Sequence, residues 1–180
     1  MIEKFKKLYN DNVVSSLTEL YSYKNSHQLP IIKKIQINRC LGLSAQNTKI
    51  FKKSIEEFSS ITGQYPKITK SKKSIAGFKL REEMDLGLTV TLRGQKMFSF
   101  LDRLINLALP RIRDFQGLDP KKFDKSGNYN FGINDQLIFP EIDYENVDQM
   151  LGLNITIVTS AQNSQQALVL LKKMGFPFHN

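Results

Sequence analysis

The chain has 180 residues, 41% apolar and 24% charged, a composition that excludes a disordered polymer and allows one domain with a real core. No run reaches the ~18 consecutive apolar residues of a membrane span, and the lone cysteine, Cys40, excludes an internal disulfide or a Cys-rich zinc site. The net charge of +9 lies wholly in residues 1–93, where 17 Lys and Arg stand against 8 Asp and Glu, while residues 94–180 hold 9 of each.

A basic half beside a neutral half predicts one face for a polyanion and another surface for a different partner. The opening MIEKFKKLYNDN lacks an apolar core before a small-residue cleavage site, and its Glu3 and Asp11 are unlike a transit peptide. The expectation is a protein that works where it is made, or one whose presequence has gone. His27 and His179 have no second ligand at metal spacing, so no metal or cofactor is expected.

Residues 3–20 read as a surface helix, with Phe5, Leu8, Val13, Leu17 and Leu20 on a stripe beside Lys4, Lys6 and Lys7. Pro30 ends the HQLP break. In 31–40, Ile35 and Ile37 alternate with Lys34, Gln36 and Asn38, a half-buried strand. Phe51, Ile55, Phe58 and Ile61 then give a helix over 46–62, stopped by Gly63. A short strand at 67–70 and a basic loop lead to a strand at 86–93, with Leu86, Leu88, Val90 and Leu92 on one side. Helix 95–109 places Phe98, Leu101, Ile105 and Ala108 together, and Pro110 ends it. Residues 111–150 read as loops with one or two short strands, from the apolar pieces 129–133 and 137–139. Strand 152–160 follows. The last helix has Asn163 as N-cap, Gln166 reaching back to it, and Leu168, Leu171 and Met174 as its stripe. The irregular order of helices and strands predicts a single α+β domain over 1–180. Its antiparallel sheet is covered by helices on one side and carries a long basic inter-strand loop.

That loop, PKITKSKKSIAGFKLR at 66–81, holds Lys67, Lys70, Lys72, Lys73, Lys79 and Arg81 and no acid. Ser71, Ser74 and Gly77 suggest mobility, and Phe78 offers a stacking face. Clustered like charges repel one another, which a merely solubilising loop leaves unexplained, whereas phosphates and unstacked bases account for both features. KKS at 72–74 is not a phosphate-binding loop, because no glycine stands directly before Lys73. Gly127 and Gly132 lack a nucleotide-loop context. Glu141, Asp143 and Glu145 alternate in a Pro-led segment, the pattern of a solvated edge. No catalytic constellation is present, so the chain is expected not to be an enzyme.

The segments ITKSKKSIAGFKLR, VTLRG, ALPRIRDFQGL and FDKSGNYNFGINDQLIFPEIDYENVDQMLGLNITIVT resemble the large-subunit ribosomal protein family that binds 5S ribosomal RNA, number five in its subunit. The resemblance covers nearly the whole chain. It implies a place in the central protuberance, with 5S rRNA, large-subunit rRNA and neighbouring 5S-associated proteins as partners, and no membrane. It also implies 5S rRNA contacts at Asn38 in KIQIN, Gln64 in TGQ, and Thr91 and Arg93 in VTLRG. Amides and hydroxyls suit base edges and 2′-hydroxyls, and Arg suits phosphate. By the same resemblance Lys70, Lys72, Lys73, Phe78, Lys79 and Arg81 reach the peptidyl-site transfer RNA. Arg111, Arg113, Asp114, Lys121 and Lys122 then belong to an intersubunit bridge with a small-subunit head protein. Arg39–Cys40 stands where many bacterial members carry Met–Gly, and Arg there is similar to plastid members. With the Lys-, Asn- and Ile-rich composition, this favours an organelle-encoded protein of the chloroplast stroma, the alternative being a bacterial cytoplasm. A free-standing RNA-binding regulator is the competing functional expectation.

Overall fold

Five segments of alternating pattern form the sheet: β1 (Ile32–Cys40), β2 (Lys67–Lys70), β3 (Asp85–Leu92), β4 (Tyr129–Ile133) and β5 (Leu153–Thr159). They are ordered β2-β3-β1-β5-β4 in a computed structural model that describes residues 9–21, 23, 25–144, 147 and 149–179. Pairing is antiparallel. Lys67 lies opposite Thr89 and Ile68 opposite Leu88. At the β1 ends, Leu41 N–H donates to Leu86 O and Ser160 N–H to Ile31 O, both at 2.9 Å.

Alternation then sorts the side chains. Ile35 and Ile37, Leu88, Val90 and Leu92, Tyr129, Phe131 and Ile133, and Leu153, Ile155 and Ile157 are all buried. Their neighbours Gln36, Thr91, Asn130 and Asn154 are exposed, and Asn38, Thr89 and Thr156 half-buried. The sheet thus has one apolar face and one open polar face, an α+β arrangement.

The chain divides into two compact units, residues 36–92 with 132–155, and residues 1–35 with 93–131 and 156–180. In the first, α2 (Thr48–Thr62) packs against β3. Its N-terminus is capped by the Asn47 side chain, which accepts from Lys49 N–H at 3.1 Å, and Gly63 closes it in the left-handed conformation at φ 66°. In the second, a π turn (Tyr9–Val14) leads into α1 (Ser15–Tyr21) and packs on α4 (Ser164–Lys173). Between them in sequence runs α3 (Gly94–Arg103), which continues through a π turn (Leu104–Ala108) and a 3-10 turn (Leu109–Arg111).

Several helix faces differ from the expected stripes. In the first helix Val13 and Leu17 are buried but Leu20, in the last turn, is exposed. Residues 3–8 of that expected helix lie outside the described residues. In α3 the core side is Met97, Phe100, Leu101, Leu104 and Ala108, with Phe98 and Ile105 only half-buried. In α4 it is Ala167, Leu170, Leu171 and Met174 rather than Leu168, since the run 168–171 is apolar throughout and leaves the phase ambiguous. Gln166 does reach back at the start of α4, but it accepts from Gln162 N–H at 3.2 Å, and Asn163 makes no side-chain cap. Residues 136–138 form a 3-10 turn rather than a strand, held as buried Gln136 donates to Gln149 O at 3.1 Å.

One glycine sets how closely β1 and β3 approach. A Cβ on Gly87 would lie 2.5 Å from Arg39 O and 3.3 Å from Cys40 Cα, both backbone atoms that cannot rotate away. Gly87→Ala should therefore cost about 1–3 kcal/mol through overpacking. Urea unfolding measures this, and an unchanged midpoint would mean that the strands part without strain.

Candidate nucleic-acid interface

The residues expected to meet RNA sit on differently built supports. Asn38 is half-buried on the open side of β1, between two buried neighbours, Ile37 and Arg39. Thr91 is exposed on the same side of β3. Thr89, two residues before it, donates its hydroxyl to Ile37 O at 3.3 Å, which ties β3 to β1 beside Asn38.

Arg39 is the buried anchor of this region, with no exposed surface at all. Its Nη1 lies 3.0 Å from Glu57 Oε2 and 3.2 Å from Ser54 Oγ, and its guanidinium carbon is 5.5 Å from the Phe58 ring centroid. Burial pushes the Arg39 pKa down, while the hydrogen bond and charge of Glu57 oppose the shift. The pair fastens β1 to α2 through the core. Period-two alternation extended from Ile35 and Ile37 would have found Arg39 on the core side. A one-residue slip of β1 would expel Arg39 and bury Asn38, so this anchor also defines which side chains reach the open face.

Gln64 follows the left-handed Gly63. Gly63 N–H donates to Ser59 O at 2.8 Å, and Gln64 N–H donates to the Thr62 hydroxyl at 3.3 Å. The backbone there is a fixed turn, not a flexible exit from the helix. Asn38, Gln64 and Thr91 all belong to the unit of 36–92 and 132–155, whereas Arg93 belongs to the other. Arg93 is exposed, one residue past the end of β3, in extended conformation and in the N-cap place of α3 without capping it. Its side chain therefore has no role in ending the strand or starting the helix.

The basic loop carries more internal structure than its composition suggests. Ile75 and Leu80 pair as an antiparallel bridge around a 3-10 turn (Ala76–Phe78), with Lys79 left-handed at φ 53°. The serines pin the loop. Ser71 Oγ donates to Lys73 O at 2.8 Å, and Ser74 Oγ accepts from Glu82 N–H at 3.0 Å. Ser71 N–H donates to Met84 O, and Glu83 N–H to Ser71 O. Lys70, Lys72, Lys73, Lys79 and Arg81 are exposed on this frame, and Phe78 is 68% exposed.

Arg111, Arg113, Asp114, Lys121 and Lys122 are exposed, and none joins an ion pair among the described residues. Their segment is secured from outside. Leu118 N–H donates to Pro177 O at 2.8 Å, and His179 N–H donates to Leu118 O at 2.9 Å. Only glycine fits at 117, with φ 106° and a would-be Cβ 2.7 Å from His179 N. Glu141 and Asp143 face Glu56 and Glu57 across a hollow, and Glu145 lies outside the described residues. Among the described residues no His, Cys, Asp and Glu group could hold a metal ion, and no helix is long and apolar enough to cross a membrane.

Comparison with known proteins agrees across the chain. The family model described as ribosomal protein L5 matches residues 25–81, and the model for the C-terminus of that family matches residues 85–178. The large ribosomal subunit protein uL5c of Oltmannsiellopsis viridis is 57% identical over 178 residues, 99% of each chain. The uL5c of Tetradesmus obliquus is 53% identical over the full length of both, and the uL5 of a Picosynechococcus strain is 54% identical over 99% of this chain and 98% of its own. These are structural proteins of the ribosome rather than enzymes. By its sequence from end to end, the chain belongs to the ribosomal protein L5 family.

Proposed function

We propose that the chain, as a structural constituent of the large ribosomal subunit, docks 5S rRNA through Asn38 and Thr91 on the open sheet face and through Gln64 and Arg93. The basic loop then reaches the peptidyl-site transfer RNA, and the 111–122 segment meets a small-subunit head protein as an intersubunit bridge. The open polar face carries this reading. A sheet that leaves amide and hydroxyl side chains uncovered over a packed core has recognition groups held in register. The loop supports its part through exposed like charges on a hydrogen-bonded frame, and the 111–122 segment through exposed charges of both signs. Relatives named as plastid proteins favour a plastid ribosome within the stroma, and the cyanobacterial relatives keep a bacterial ribosome as the alternative.

Sedimentation tests the assembly. The chain should co-sediment with large subunits in stoichiometric amount after a high-salt wash, and a free pool that washes off would favour a regulator instead. Arg93→Ala should weaken 5S rRNA binding by about 1.5–3 kcal/mol, the value of a hydrogen bond to a charged group. Asn38→Ala and Gln64→Ala should cost less. Equal affinity in all three variants would remove the site.

A further inference from the structure

The turn between α2 and β2 holds one large side chain that the fold does not use. Tyr65 is 71% exposed, and among the described residues its side chain makes no hydrogen bond, ion pair or ring contact. Singly exposed aromatics are common, but this one stands on an unusually constrained backbone. On its N-terminal side, Gly63 closes α2, and the Thr62 hydroxyl lies 2.8 Å from Phe58 O and 2.9 Å from Gln64 O. On its C-terminal side Pro66 is buried, and Lys67 already pairs with Thr89 in the sheet. The backbone on both sides is therefore set before any partner arrives, and ordering the ring costs only two side-chain torsions.

We infer that Tyr65 is a stacking residue of the RNA surface, its ring taking the face of an unpaired nucleobase of the 5S rRNA while Gln64 meets a polar base edge. The inference rests on the RNA reading of the open face and deepens it. A phenol ring offers a flat face to any base, and the adjacent amide offers a donor and an acceptor, so together they suit one splayed nucleotide. Lys67, exposed two residues on, supplies a cation for its phosphate. A paired duplex presents no free base face, so the partner must be a loop or bulge.

The sequence contains no tryptophan, so Tyr65→Trp creates a single reporter. Titration of this variant with 5S rRNA should quench its emission and shield it from acrylamide, with affinity within about two-fold of the parent. Tyr65→Phe should also bind within about two-fold, and Tyr65→Ala should bind about 5- to 100-fold more weakly, at an unchanged unfolding midpoint. Gln64→Ala is measured beside them. If Gln64→Ala weakens binding while Tyr65→Ala does not, or if the bound tryptophan stays open to acrylamide, stacking is wrong and the RNA face stands. If neither substitution weakens binding, stacking is wrong, and the RNA face falls with it only if Arg93→Ala and Asn38→Ala also bind unchanged.

Discussion

Glu57→Ala should lower the unfolding free energy by about 3–5 kcal/mol, the cost of leaving a buried charge without its partner. The Arg39 side chain is wholly buried, so the orphaned guanidinium cannot reach water without moving β1 or α2. Ser54 would remain as its one polar contact, too weak to replace a carboxylate. Glu57 keeps 15% of its side chain exposed, which puts the expected loss near the lower end. The reverse substitution should behave differently. Arg39→Met removes the cation, fills similar volume, keeps contact with Phe58 and leaves Glu57 able to turn toward solvent. It should cost far less than Glu57→Ala, because an apolar replacement of a buried charge escapes desolvation. Denaturant midpoints of both variants measure the asymmetry. Equal losses, or a loss below about 1 kcal/mol for Glu57→Ala, would mean the pair is not held as described.

The second large effect concerns the loop. Lys70, Lys72 and Lys73 are exposed on a frame made by Ser71, Ser74 and the Ile75–Leu80 bridge, which uses none of the three lysine side chains. Changing all three to Ala should leave the unfolding midpoint in place. It should lower the salt slope of direct RNA binding by the loop by roughly 2–3 units, at about 0.7–0.9 per phosphate. At 0.1 M salt that is about a 100- to 500-fold loss for this contact. The variant should still enter large subunits and keep most of its 5S rRNA affinity, yet hold peptidyl-site transfer RNA less well. If it fails to bind 5S rRNA at all, the loop belongs to the docking surface and the division of labour is wrong.

How much of this was legible beforehand depended on whether the signal was local. β1, β3 and β5 follow from two-residue alternation, and α2 from the spacing of its apolar residues between Asn47 and Gly63. Arg39 obeys the same alternation as Ile35 and Ile37, but a charged residue reads as solvent-facing because an isolated guanidinium is too costly to bury. Its partners Ser54 and Glu57 stand 15 and 18 residues on, and no local pattern announces that they meet. In α3 two phases fit the apolar positions, and only packing chose Met97 and Leu104 over Phe98 and Ile105. The close approach of Gly117 to His179 is longer-range still. For the candidate site, the basic loop stood out from composition. Asn38, Gln64, Thr91 and Arg93 came from family likeness alone, since single polar residues on strands look like any solvated surface. Tyr65 lies beside one of them and carries no sequence signal of its own, because its exposure and its fixed backbone are properties of the folded turn.

The pairing of Leu118 with the stretch 177–179 also orders events in time. A nascent chain emerges from its N-terminal end, so residues 111–122 leave the exit tunnel well before 177–179 do. Until then Leu118 has no strand to pair with, and Gly117 nothing to pack beneath. The surface bearing Arg111, Arg113, Lys121 and Lys122 therefore takes its final form only once residues 177–179 have left the tunnel. A partner that recruits newly made copies through that surface would meet it only on chains extended past residue 179, so products terminated before that point would lack it.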